Sequence, residues 1–382
     1  MTLYGTESNV EARGVAVSEI QLKREEEGTF TAEDRNQPIP PENVVAYNEL
    51  RSCADLNRMF VNRKLEIQPD FQREVVWKLP EQTRFIDSLV KQLPIPSMCF
   101  SLDVKTQKWK VIDGLQRMHT ITTFLGTAGI KLADVEDVHP ALRGKKNTAL
   151  REGTEEERRL YSSVEDISVP ITVIRCDYEI ASHMLYLFTI FNRLNSGGVR
   201  LNNQEIRNCI YSGEFNNLLK RVDKEDRNWH QVRRRIWGPT DRFRSVEVLL
   251  RALAFASRLD KYDGNLARFL NDYMHENRHP EAQALLEIRR DLEFASAAAA
   301  EILGAMTHGK KSLVVIEGVL VGVLKNVQAL RALGPRLNDF LRNRAAAFLV
   351  LDEFALGARY ALSSPHTVKE RLAAAELVFS PA

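Results

Sequence analysis

The sequence lacks the features that would tie it to an oxidising compartment or to a membrane. Its four cysteines are far apart and form no CxxC pair, which argues against a zinc knuckle or a disulfide framework. The longest apolar run, Leu313 to Leu324, contains Glu317 and is too short to span a bilayer. The N-terminus carries charged residues and no apolar signal-peptide core. We therefore expect a cytoplasmic protein with reduced thiols.

An excess of charge of one sign is also absent. The 53 Lys and Arg residues and 51 Asp and Glu residues leave a net charge of +2. This excludes a global polycation, so any nucleic-acid surface must be local. A GxxxxGK[ST] run is missing as well, which excludes a P-loop. The 382 residues nevertheless allow two or three domains with a sizeable core.

Hydrophobic periodicity predicts an α+β N-terminal part followed by an all-α part. Strand patterns occur at 65–67, 98–102, 108–112 and 169–176. Helical patterns occur at 50–60, 80–90, 118–125, 179–194 and 203–211, and residues 131–166 form a polar segment with partial helix. Further helical patterns occur at 246–259, 282–306, 312–333, 337–362 and 368–378. We therefore predict a flexible arm at 1–45, an α+β domain at 46–244 and a helical domain at 245–382.

Four polar clusters hold the candidate functional residues: Pro69–Trp77, Asp113–Arg117, Phe191–Gly198 with Glu205, and Asp241–Arg244 with Glu247 and Arg251. In the second cluster a strand-like run ends in Asp-Gly, and a helix-like run follows. Such a corner suits an anion because the turn needs glycine and the new helix offers free N–H groups. Arg117 adds a planar fork that matches phosphate.

Taken jointly, the clusters suit a nucleoside triphosphate and a divalent metal ion, Mg²⁺ or Mn²⁺. Arginines would bind the phosphates, carboxylates would hold the metal or orient a water, and amides would bind the rest of the ligand. The predicted catalytic residues are Asp113, Gln116 and Glu205, with Asp113 also the metal ligand. The predicted nucleotide-binding residues are Gln72, Arg73, Arg117, Asn192 and Asn195.

Each cluster also has a purely structural interpretation, in which its polar residues form ion pairs and helix ends. These alternatives are a surface ion pair for Arg73, a turn or cap for Asp113, a helix end for Asn192 and Asn195, a capping box for Asn202 and Glu205, and an i,i+4 pair for Glu247 and Arg251.

The motifs, in this order, resemble the family that forms the N-terminal half of GmrSD-type Type IV restriction enzymes, with a ParB/sulfiredoxin-like core. Its P-x-F-Q-R, V-W, P-I-P and D-G-Q-Q-R patterns correspond to Pro69–Arg73, Val76-Trp77, Pro94–Pro96 and Asp113–Arg117. Its F-x-x-x-N-x-x-G-x-x-L-x-x-x-E signature corresponds to Phe191, Asn195, Gly198, Leu201 and Glu205. The resemblance implies nucleotide binding and hydrolysis that gates attack on foreign or modified DNA.

Two departures from the family pattern bear on function. Leu115 replaces the first Gln of D-G-Q-Q-R, so nucleotide preference or turnover would differ if that amide contacts base or ribose. The C-terminal histidines have helical or loop-like surroundings and form no His-Asn-His pattern, so we expect a separate nuclease subunit. His275 to His279 spells H-E-x-x-H, but Pro280 follows and no amphipathic helix surrounds it, which argues against a zinc protease.

A basic segment with interleaved tryptophans runs from Trp229 to Trp237. Arginines and tryptophan faces suit phosphate and base contacts. The predicted DNA-binding residues are Arg233, Arg234, Arg235 and Trp237. The alternative is a solvated or acid-paired face, because three acidic residues lie just upstream.

The leading hypothesis is a nucleotide-binding, hydrolysing component of a DNA restriction or anti-phage system. The rival is a non-enzymatic DNA-binding or adaptor protein that uses nucleotide as a switch. A nuclease acting through the core itself ranks last because no clear metal-ligand cluster is visible. Expected partners are foreign or modified DNA and a separate nuclease subunit. A membrane partner is not expected, and a homo-oligomer is left open.

Overall fold

A computed structural model describes residues 40–67, 77–127, 129–194, 201–235, 237, 241–306, 312–351, 354 and 363–381. These residues divide into two compact units, Gln37–Leu201 and Asn202–Ala382. Most of the predicted arm, residues 1–39, lies outside the described residues. The predicted domain boundaries at 45 and 244 stay predictions.

The first unit contains a five-stranded mixed sheet. Its strands are β1 (Val45–Ser52), β2 (Leu65–Glu66), β3 (Met98–Asp103), β4 (Trp109–Asp113) and β5 (Ser168–Cys176). The strand order is β1-β5-β3-β4-β2. The β3–β5 and β2–β4 pairs are parallel, whereas β1–β5 and β3–β4 are antiparallel. The middle of the sheet is therefore β3, whose residues are all buried.

Six α-helices of six to fourteen residues surround this sheet in the described part of the first unit. They are α1 (Cys53–Val61), α2 (Leu79–Val90), α3 (Leu115–Leu125), α4 (Asn147–Glu152), α5 (Glu155–Asp166) and α6 (Ala181–Leu194). Helices α1, α2, α3 and α5 pack together over one hydrophobic core, and α6 packs beside β4. The corner between β4 and α3 thus rests on a buried core.

Two predicted helix starts in this unit are wrong by three residues, since α1 begins at Cys53 and α3 begins at Leu115, before the predicted 118. The helical pattern at 50–60 begins too early, because β1 continues to Ser52 in antiparallel pairing with β5. The helix starts at Cys53, where the Ser52 side chain accepts a hydrogen bond from the Asp55 backbone N–H at 3.1 Å. The apolar spacing of Leu50 suited a helix, but backbone pairing with β5 and the serine cap determine the start.

The second unit contains only helices among the residues that the structure describes. They are α7 (Asn203–Ile210), α8 (Glu214–Glu225), α9 (Arg227–Arg233), α10 (Arg244–Arg258), α11 (Leu266–Glu276), α12 (Ala282–Ala305), α13 (Leu313–Lys325), α14 (Val327–Ala332), α15 (Leu337–Leu349) and α16 (Pro365–Val378). Together with the first unit, they confirm the α+β fold class. The ParB/sulfiredoxin-like likeness stays a prediction.

Two of the predicted C-terminal helices are shorter than expected. The pattern at 312–333 is divided into α13 and α14 at Asn326, whose side-chain amide donates to the Gly322 and Glu376 carbonyl oxygens, both at 2.9 Å. These bonds satisfy carbonyls at the helix end and stop α13 there. The pattern at 337–362 ends at Leu349, and most residues after Leu351 lie outside the described part.

The second unit encloses a buried ion cluster. Glu317 on α13 is fully buried and accepts hydrogen bonds from Arg251 on α10 at 2.5 Å and from Arg371 on α16 at 3.1 Å. Burial lowers the pKa of Arg371, and the Glu317 carboxylate opposes that shift. This cluster explains why the apolar run at 313–324 contains one acid. Among the described helices, none is long and apolar enough to cross a membrane.

Candidate anion-binding corner

The corner between β4 and α3 depends on Gly114. This residue has φ 92° and forms the N-cap of α3 without a side-chain hydrogen bond. A Cβ atom at this position would lie 2.6 Å from Cγ of Met98, well inside van der Waals contact. Glycine is therefore required by both its backbone conformation and the close approach of β3.

The first turn of α3 follows directly from that conformation. The N–H groups at the start of a helix have no partner within the helix, and no side chain caps this one. Aligned peptide dipoles add positive potential at the same place. The corner can therefore accept an anion at the N-terminus of α3.

Arg117, one turn into α3, connects the corner to the segment before β3. Its guanidinium donates to Asp113 Oδ2 at 3.0 Å, to the Ser97 carbonyl at 3.4 Å and to the Pro96 carbonyl. The side chain is only 14% exposed. Burial lowers the pKa of Arg117, and the Asp113 carboxylate opposes that shift. An arginine still stays charged near neutral pH.

Asp113 is the acid of the corner. It ends β4 and its side chain is 40% exposed, so water and ligands can reach the carboxylate. Cys99 lies opposite it on β3, next to an irregularity in the register. Burial, and secondarily the charge of Asp113, raises the pKa of Cys99 to about 12. The thiol therefore stays protonated near neutral pH.

Gln116 and Leu115 have different surroundings on the first turn of α3. Gln116 Oε1 accepts a hydrogen bond from the Trp77 backbone N–H at 3.3 Å. Leu115, which departs from the predicted family pattern, packs against the core of the first unit. The turn therefore presents one amide and one apolar side chain where the predicted pattern has two amides.

The remaining residues predicted for the nucleotide are placed only in part. Gln72, Arg73 and Asn195 lie outside the described residues, so their predicted roles stay predictions. Asn192 lies in the last turn of α6 and is half-buried. The structure therefore brings together Asp113, Gln116 and Arg117.

Glu205, in the second unit, has a structural role at the start of α7. It forms a capping box with Asn202, as the alternative interpretation predicted. Its carboxylate also receives two hydrogen bonds from Arg242, at 3.0 and 2.7 Å, and the side chain is 2% exposed. These bonds join α7 to the turn at 241–243. A catalytic role for Glu205 stays a prediction.

The four residues predicted to contact DNA differ in exposure. Arg233 pairs with Asp223 at 3.1 Å and with Asp241 at 3.8 Å. Arg234 is exposed, and Arg235 and Trp237 are half-buried. Arg234 is therefore the most accessible of the four.

Sequence reasoning did not single out the groups that hold Arg117 and Gln116. They are backbone atoms: the carbonyls of Pro96 and Ser97 and the N–H of Trp77. Trp77 and Pro96 belong to the V-W and P-I-P motifs, so a signal was present. The motifs did not show that these segments approach the corner, because any residue type can supply a backbone carbonyl or N–H group.

The described parts contain no group of three or more His, Cys, Asp or Glu side chains placed to hold a metal ion.

The fold defines an α+β domain whose helix α3 begins without a side-chain cap. Residues 56–212, from within α1 to just after α7, match the family model described as GmrSD restriction endonuclease, N-terminal domain. This segment is a GmrSD N-terminal domain, as its motifs predicted, and such a domain indicates a component of a DNA restriction system. No curated protein matches the chain.

Proposed function

We propose that this protein is the nucleotide-binding and nucleotide-hydrolysing component of a DNA restriction or anti-phage system. The observation that carries the proposal is the corner at Asp113–Arg117, where an uncapped helix N-terminus, a half-buried arginine and an accessible carboxylate meet. A triphosphate suits this set because it is a compact anion that needs N–H donors, positive charge and a metal-binding acid.

Arg117 contributes to this site while it holds the corner together. A guanidinium has five N–H donors. The hydrogen bonds to Asp113, Ser97 and Pro96 use three of them. The other two meet no acceptor among the described residues, and in this proposal they donate to a phosphate oxygen. Arg117 therefore positions Asp113 and adds positive charge beside the α3 N-terminus.

Asp113 fits the predicted Mg²⁺ or Mn²⁺ ion. Magnesium is commonly held by one or two carboxylates together with phosphate oxygens and water, so a cage of three protein ligands is not required. Asp113 offers an accessible carboxylate beside the proposed phosphate site. A bound metal would supply charge neutralisation at the phosphates. Gln72, Arg73, Asn192 and Asn195 complete the proposed nucleotide contacts on sequence grounds.

DNA cleavage belongs to a separate nuclease subunit in this proposal. Its support is the sequence of the second unit, in which the histidines form no His-Asn-His pattern. Nucleotide turnover would then control when the partner acts.

Calorimetric titration of the four ribonucleoside triphosphates, with Mg²⁺ or Mn²⁺, tests binding. Phosphate release with and without DNA tests turnover. We expect Asp113→Asn to abolish turnover, and Arg117→Ala to weaken binding by about 1.5–3 kcal/mol, the range for a hydrogen bond to a charged group. Incubation with plain and base-modified DNA should give no efficient cleavage by the protein alone.

Arg143→Ala is the matched control for Arg117→Ala. Arg143 also donates to backbone carbonyls of the first unit, those of Val138 and Glu136, in a different loop. It should leave nucleotide affinity unchanged. If folded Arg117→Ala binds the nucleotide with the same affinity as wild type, the phosphates do not bind at this corner. Binding without turnover under every condition would establish the switch hypothesis instead, and robust DNA cleavage lost in Asp113→Asn would make the core itself a nuclease.

A further inference from the structure

The outward faces of α8 and α9 carry an unusual distribution of charge. Positions 217, 221 and 224 on α8 and positions 227, 231 and 234 along α9 are all exposed, with the i, i+4, i+7 spacing of one helix face. They hold Asn217, Arg221, Lys224, Arg227, Gln231 and Arg234. We call the four cations among them the basic stripe.

Of the four acids in this segment, Asp223 and Asp226 make local hydrogen bonds, whereas Glu214 and Glu225 are exposed. Asp223 accepts hydrogen bonds from the Trp229 indole at 2.8 Å and from Arg233. Asp226 caps α9 by accepting from the Asn228 and Trp229 backbone N–H groups. Asp223 and Asp226 are thus occupied by an indole, an arginine and a helix cap, and the four exposed cations outnumber the two exposed acids.

The four cations of the stripe have no ion-pair partner in the part of the chain that the structure describes. Glu225, at the junction of the helices, lies 3.9 Å from Arg289 on α12. Because the whole chain has a net charge of only +2, the stripe concentrates four positive charges locally. Its natural counterpart is a regularly spaced polyanion.

We propose that the basic stripe of α8 and α9 is a docking surface for the phosphate backbone of double-stranded DNA. This inference rests on the proposed restriction role only in its choice of DNA as the polyanion. A membrane surface fits less well. Asn217 and Gln231 lie among the cations on these helix faces, and no apolar side chain stands there to anchor the protein in a bilayer.

The stripe contacts phosphates and does not read bases. Trp229 is fully buried with its indole bonded to Asp223, so it offers no stacking surface. Arg233, although predicted to contact DNA, is held by Asp223 and Asp241 and supports the helix. Phosphate contacts position a protein on DNA but carry no sequence information. The stripe would therefore hold DNA of any sequence and leave recognition to other parts of the system.

Salt-dependent binding of a fluorescent 20-base-pair duplex to the full chain, without nucleotide, tests this proposal. Each phosphate contact contributes about −0.9 to the slope of log K against log salt. Arg227→Ala/Arg234→Ala should flatten the slope by about 1.8 and weaken binding by about fifty-fold at 0.1 M salt. Two duplexes of unrelated sequence should bind equally. An unchanged slope in the double variant would overturn the proposal.

Arg268→Ala/Arg342→Ala is the matched control. These substitutions are in the same unit and remove the same charge, but Arg268 pairs with Asp263 and Arg342 with Glu301. The control variant should keep the wild-type salt dependence of DNA binding. If it weakens binding and flattens the slope as much as Arg227→Ala/Arg234→Ala does, only the net charge matters and the proposed docking surface is wrong. Tighter stripe-dependent binding to duplex RNA or to phosphatidylserine vesicles would overturn the choice of DNA.

A second readout separates this proposal from the nucleotide site. Calorimetry with nucleotide should give wild-type affinity in Arg227→Ala/Arg234→Ala, and Asp113→Asn should keep DNA binding without nucleotide. If DNA binding fails and nucleotide binding is observed, only the docking surface is wrong. If nucleotide binding fails and DNA binding is observed, only the nucleotide site is wrong.

Discussion

At the residue scale, the corner at Gly114 shows how much one position determines. The run Asp-Gly followed by Gln-Arg predicted a turn that needs glycine and a helix that begins beside an arginine. Gly114 has positive φ as predicted, whereas α3 begins at Leu115, three residues before the predicted start at 118, so Arg117 lies inside its first turn. The Arg117 contacts could not be predicted, because their partners are backbone carbonyls brought close by the sheet. Likewise, Glu205 alone does not reveal that Arg242, 37 residues away, will pair with it.

Gly114→Ala should destabilise the first unit by about 2 kcal/mol or more. A left-handed conformation costs an L-residue about 1–2 kcal/mol, and the new Cβ would also displace Met98. Urea denaturation followed by circular dichroism measures the change.

Two other glycines separate these two causes. Gly334 has φ 53° with nothing near its would-be Cβ, so Gly334→Ala carries only the conformational cost. Gly304, exposed within α12, has open space around it, so Gly304→Ala should stabilise by about 0.5–1 kcal/mol. If Gly114→Ala costs no more than Gly334→Ala, the close approach of Met98 is not a constraint.

At the element scale, periodicity predicted helices such as α2, α6 and α12 well because each has a continuous apolar face. The helices α8 and α9 were not predicted as elements, since their many charges obscured the pattern. The segment at 229–237 was predicted as one basic surface, but the structure assigns its arginines to different environments. Periodicity cannot make that distinction, because the acids that hold Arg233 come from two other places in the chain.

The N-terminus of α5 gives a pH-dependent prediction. Its capping box joins Thr154 and Glu157, and Glu157 also pairs with Lys145 at 2.9 Å. The bond to Lys145, followed by bonds to Thr154, lowers the pKa of Glu157 to about 2. A carboxyl whose pKa is lower in the folded state stabilises the fold above its ordinary pKa and loses that effect as pH falls. The effect should therefore disappear between pH 4.5 and about 2.

Glu157→Gln should lower the melting temperature at pH 7 and lower it less at pH 3. Glu156→Gln is the matched control, because Glu156 is an exposed acid in the same helical turn and only its interaction with the helix dipole is lost. Equal effects of Glu157→Gln at both pH values, measured by differential scanning calorimetry, would contradict a stabilising role of the ionised carboxylate.

At the scale of the whole molecule, composition and pattern predicted the order of an α+β part and a helical part. The pattern could not show how the helices of the second unit choose their neighbours. Glu317 illustrates the reason: in the sequence it only interrupts an apolar run, whereas in the fold it binds arginines from α10 and α16. Such long-range pairs depend on helices that approach each other only after folding.

Glu317→Leu should therefore unfold the second unit more easily than any surface change, although leucine suits the surrounding apolar run. Removal of one partner leaves Arg251 and Arg371 buried without their acid, and such a loss typically costs about 3–5 kcal/mol. Glu301→Leu is the control, since Glu301 pairs with the exposed Arg342 and should cost no more than about 1 kcal/mol. Urea denaturation of both variants measures the difference in the free energy of unfolding.

Replacing Glu317, Arg251 and Arg371 together by apolar residues should restore much of the stability that Glu317→Leu loses, because the penalty comes from the buried charges without a partner. A Glu317→Leu variant as stable as wild type would show that solvent or another acid compensates the two arginines.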